Sequence, residues 1–90
     1  MRRIERRLFR LHDEIEAIQR DERLVEEELT YHRHLNDDTQ RDAAVSDHPI
    51  DRADARETSG DVRRFELNLA QLRRKRAVLE TKRDRLVKKL

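Results

Sequence analysis

The sequence has 90 residues, 34% of them hydrophobic and 47% charged, with a net charge of +2 and no cysteine. Too little apolar material is present for a layered core, so the chain is either disordered or a narrow helical seam. The lack of cysteine excludes disulfides, thiolate zinc sites and thiol nucleophiles together.

Periodicity decides between the two shapes, because disorder requires no regular apolar spacing and a coiled coil needs only two positions in seven. A single Gly and a single Pro favour helix. The start, Met1-Arg2-Arg3-Ile4-Glu5-Arg6-Arg7, is basic but runs into a charged, helix-spaced segment, without the apolar run of a signal peptide or a membrane span. A cytoplasmic protein without a membrane partner is the expectation.

From Ile4 a heptad seam runs through Leu8, Leu11, Ile15, Ile18, Glu22, Val25, Leu29 and His32, in steps that alternate four and three. Asn36, Thr39 and Ala43 continue it in polar or small form, and Leu24, Tyr31 and Leu35 form a second stripe beside it. This predicts helix 1 over about residues 3–44, with its last turns weakly held.

Ser46-Asp47-His48-Pro49-Ile50-Asp51 holds the only proline and reads as the tip, centred on about residues 45–49. Beyond it Val62, Phe65, Leu69, Leu72, Arg76, Leu79, Arg83, Leu86 and Leu90 make a second seam, with Ile50, Ala55 and Thr58 as candidate upstream members. Helix 2 is expected over about residues 50–90, continuous but kinked or frayed at Gly60, since glycine costs about 1 kcal/mol in a helix relative to alanine. Pro49 suits its first turn.

The two seams fit one antiparallel register. Ile4 faces Leu90, Leu8 faces Leu86, Ile15 faces Leu79, Val25 faces Leu69, Leu29 faces Phe65 and His32 faces Val62. Each of these pairs implies the same turn centre, near Asp47. The predicted fold is therefore all-α, a single two-helix antiparallel coiled-coil hairpin over residues 1–90. Glu22 stands one layer from Arg76 and is expected to pair with it, selecting this register over others. Arg83, opposite Leu11, is expected to snorkel to solvent.

Charge is segregated along the chain. Arginines crowd the first turns and Arg73, Arg74, Lys75 and later cations crowd helix 2, whereas Asp47, Asp51 and Asp54 help make the tip acidic. A basic base and an acidic tip follow. The four histidines do not suggest a metal site, since His32 and His34 point to different sides of a helix and His12 and His48 lie far from them. No nucleophile with a base, no phosphate loop and no cofactor motif is present, so a non-enzymatic protein is expected. Clustered cations can neutralise phosphates, but no nucleic-acid-binding motif accompanies Arg73, Arg74 and Lys75, and direct nucleic-acid binding is the least favoured reading. Phe9, Leu67, Val78 and Val87 lie outside the seam, open to a second copy in a homodimer or to another partner.

The segment His48-Pro49-Ile50-Asp51-Arg52-Ala53 resembles the coiled-coil tip of the TraR/DksA regulators of RNA polymerase, where an Asp-x-x-Asp-x-Ala motif opens the second helix. The resemblance covers the hairpin and not the four-cysteine zinc finger that usually follows it in that family. It implies that Asp51 takes the place of the motif's second aspartate and Ala53 that of its alanine. His48 stands where the first aspartate would be, with Asp47 displaced by one. By this resemblance the chain is expected to be a transcription regulator that inserts its tip, Asp47, His48, Asp51, Ala53 and Asp54, into the secondary channel of bacterial RNA polymerase. The alternative is a coiled-coil adaptor or self-associating bundle that binds through its outer faces.

Overall fold

The computed structural model describes residues 2–90. Two long α-helices, α1 (Arg3–Val45) and α2 (Pro49–Val87), are joined by a three-residue turn at 46–48. The fold is the expected all-α helical hairpin.

α1 contains no Gly or Pro, and every member of its predicted seam from Ile4 to Ala43 is buried or half-buried. α2 runs unbroken through Gly60, which takes no positive φ, and a Cβ built there would meet nothing within 4 Å. Glycine therefore weakens this position through backbone freedom alone, and the helix continues through it without fraying.

Two expectations are corrected at the helix ends. α2 stops at Val87, and the chain closes in a tight turn with Lys89 N donating to Leu86 O (3.0 Å) and Leu90 N to Val87 O (3.2 Å). Leu90 is thus outside the helix and 69% exposed, so it does not complete the seam opposite Ile4. At the other end Ile50 is 63% exposed and belongs to the turn surface, while Ala55 and Thr58 take the inward positions.

The hairpin divides into two compact units. One joins α1 up to Arg23 with α2 from Ala70 onward; its buried side chains are Ile15, Glu22 and Leu86. The other, Leu24–Leu69, contains the turn and buries Leu29, Ala55 and Leu69. No described side chain is fully sealed from solvent, as a seam only two helices wide dictates.

Helical side chains lean towards the N terminus of their own helix, so across an antiparallel pair they reach past the directly opposite residue by about a turn. In the first unit this brings Arg76 onto Glu22. In the second it stacks His32 on Phe65, with ring centroids 4.5 Å apart, where the register alone places Val62 opposite His32.

Candidate interaction site at the helical turn

The turn is held by local hydrogen bonds. Ser46 N donates to Asp42 O (2.9 Å), which continues the α1 ladder for one more residue. His48 N then donates to Ser46 Oγ (3.2 Å), and Ile50 N donates to His48 Nδ1 (3.2 Å). His48 is therefore the N-cap of α2: its ring nitrogen satisfies one of the N–H groups that a helix start leaves unpaired. Pro49 follows at the first helical position, where its missing N–H and fixed φ carry no penalty.

Arg52 closes the turn from the α2 side. Its Nη1 donates to Asp47 O (2.9 Å) and lies 3.5 Å from Asp47 Oδ1. Asp51 is half-buried in the first turn of α2, where a carboxylate meets the positive end of the helix dipole. Asp47, His48, Ala53 and Asp54 are exposed. The sequence-predicted tip residues thus share one end of the second unit, but with different duties. Asp47 and His48 shape the turn as well as facing solvent, whereas Ala53 and Asp54 make no side-chain hydrogen bond or ion pair there.

Two large apolar residues of the tip stand out. Val45, 86% exposed, ends α1, and Ile50, 63% exposed, lies in the first turn of α2, so large apolar side chains flank the acidic turn. Their position on either side of 46–48 was the available signal. The spacing that makes Ile50 a candidate upstream member of the α2 seam hides its place on the turn surface.

Below the turn, still within the second unit, polar groups replace apolar layers. The Thr39 and Thr58 hydroxyls lie 2.6 Å apart, Thr58 Oγ1 donates to Asn36 Oδ1 (3.1 Å) and Gln40 Nε2 donates to the Ala55 carbonyl (2.9 Å). The sequence marks these positions as a weak seam; the cross-helix network that satisfies them is visible only once the helices are paired.

The predicted basic residues occupy the first unit and do not form one cluster. Arg73 Nε lies 3.9 Å from Glu22 Oε1, whereas Arg74 and Lys75 border a shallow groove with Ile18, Val78 and Leu79. Glu22, only 5% exposed, receives a two-pronged contact from Arg76: Nε donates to Oε2 (2.6 Å) and Nη2 to Oε1 (3.1 Å). Arg76 Nη1 also donates to Glu80 Oε1 (2.7 Å). Hydrogen bonds donated to Glu22 first, then to Glu80, raise the Arg76 pKa above its ordinary value. A raised pKa adds stability that is fully present below the ordinary arginine value, so the arginine contributes no pH dependence near neutrality.

The histidines serve separate local roles. His12 Nε2 is 3.3 Å from Glu16 Oε1, His32 Nε2 is 3.8 Å from Glu28 Oε2 while its Nδ1 is buried without a partner, and His48 caps α2. Among the described residues no three His, Asp or Glu side chains converge as metal ligands, and no helix is long and apolar enough to cross a membrane. Set against protein-family models, curated proteins and solved structures, the chain matches none.

Proposed function

We propose that this chain is a non-enzymatic regulator of transcription that inserts its helical turn into the secondary channel of bacterial RNA polymerase. The observation that carries the reading is the exposure of Val45 and Ile50 on either side of a turn that also presents Asp47, Ala53 and Asp54 to solvent. A turn that only reverses the chain has no need of large apolar side chains. Apolar residues rimmed by charge mark a contact surface. The carboxylates suit a cavity that is basic or holds a metal ion, and a two-helix hairpin is narrow enough to enter one. The likeness of His48-Pro49-Ile50-Asp51-Arg52-Ala53 to the TraR/DksA tip directs this surface to the polymerase.

A second reading, a coiled-coil adaptor, draws on Leu24 and Tyr31. Each is 60% exposed, and they lie one heptad apart on a single face of α1.

Substitution separates the two. Asp51→Asn removes a first-turn carboxylate, a change of about 0.3–1 kcal/mol, and Ala53→Thr alters an exposed position. Both variants are expected to keep their helicity and still bind polymerase while losing the effect on transcription by purified enzyme. Leu24→Ser with Tyr31→Ser is expected to leave that effect intact. Normal regulation by the turn variants, or no polymerase binding by the parent protein at low salt, refutes the channel reading.

A further inference from the structure

The first unit carries a second surface, made of charge. The seam residues Leu11, Leu79 and Leu86 floor a groove between the helices, and five cations line it: Arg7 and Arg10 from α1, Lys82 and Arg85 from α2, and Lys89 just past its end. All five are exposed. Among the described residues Glu14 is the only acidic one on the groove wall.

None of these five cations has a carboxylate partner among the described residues. Arg33, Arg41, Arg52, Arg64, Arg76 and Arg83 each have one. On the groove, by contrast, Lys82, Arg85 and Lys89 follow one another at three- and four-residue spacing, as do Arg7 and Arg10. Like charges at those spacings repel and destabilise a helix. Two helices thus bring their unneutralised charges to the same groove, an arrangement that a bound polyanion relieves.

The geometry points to a nucleic-acid backbone as the occupant, its phosphates lying between the α1 and α2 cations. Arg3 and Arg6, with Arg10 around Phe9, extend the positive surface along α1. A bilayer is the weaker match. Membrane-surface binding needs cations and inserted apolar side chains to act together. Here no exposed large apolar side chain lines the five-cation groove itself; Val87 and Phe9 line another groove with Glu5, His12 and Arg83, and Phe9 also borders Arg3, Arg6 and Arg10. The inference is independent of the turn and its proposed partner.

Fluorescence anisotropy with a short labelled DNA, single-stranded and duplex, tests it on the whole chain. Contacts to five phosphates predict that log Kd rises with log salt with a slope of about 3.5 for single strands and about 4.5 for duplex. Arg7→Gln with Arg85→Gln, and separately Lys82→Gln with Lys89→Gln, should each reduce the slope by about 1.4 for single strands and about 1.8 for duplex and weaken binding at least about tenfold at moderate salt. Far-UV circular dichroism should show unchanged helicity, because all four side chains are exposed. Arg56→Gln with Arg63→Gln removes the same charge from the other unit and should leave DNA binding unaltered.

Three outcomes overturn the inference. The first is no DNA binding at low salt, and the second is equal weakening by the Arg56 and Arg63 control. The third is tighter, equally groove-dependent retention on vesicles of phosphatidylserine and phosphatidylcholine, which would assign the groove to a membrane surface.

Discussion

At the scale of single residues, charge inside a two-helix seam has to be placed with a partner or excluded. Glu22 occupies a seam position and is almost wholly buried, so its carboxylate depends on the two-pronged contact from Arg76. Removing one member of such a pair strands the other, whereas replacing both by apolar residues of similar size is often neutral or stabilising. Arg76→Leu alone should therefore lower the melting temperature clearly, and Glu22→Leu combined with Arg76→Leu should restore it or raise it further. A double-mutant cycle by thermal denaturation measures the coupling; additive effects would mean that the contact does not hold the register. The pair was legible in the sequence because the seam register put the two residues one layer apart. The N-cap on α2 was not, since histidine is an uncommon cap and its Nδ1 acceptor depends on the turn geometry.

At the scale of elements, α1 and α2 change character along the second unit. Around Leu29 and Leu69 the helices are joined by buried apolar side chains. From Asn36 to Thr58 they are joined by hydroxyl and amide contacts around the small side chains of Ala43 and Ala55. Each such hydrogen bond contributes about 0.5–1.5 kcal/mol net, less than the 2–5 kcal/mol typical of truncating a buried leucine to alanine. Amide hydrogen exchange should accordingly be faster across residues 36–58 than beside Leu29 and Leu69, and uniform protection throughout the unit would contradict this account. Nearly all of the fold was readable from the spacing of the seam residues, which constrain one another across the two helices. The ends were less so: Leu90 and Ile50 both continue the periodic pattern, but spacing cannot reveal that α2 closes at Val87 or that the first turn of α2 faces solvent. The candidate site was legible in its acidic residues and obscure in its apolar ones. Val45 and Ile50 gain meaning only when the three-residue turn sets them in solvent together.

At the scale of the whole molecule, the thin seam ties stability to function. Two-helix hairpins of this size are marginal alone, and a partner that binds only the folded chain adds stability by mass action. The turn and the cationic groove belong to different units, so the two proposed binding surfaces can be tested separately. The central claim is that the turn enters the secondary channel of bacterial RNA polymerase. The most direct measurement replaces Ile50 with a photo-reactive amino acid, irradiates the protein bound to polymerase, and maps the cross-linked residues by mass spectrometry. The account predicts cross-links to residues lining the secondary channel, lost when that channel is blocked. Cross-links confined to the polymerase exterior, or to a second copy of this chain, would contradict it.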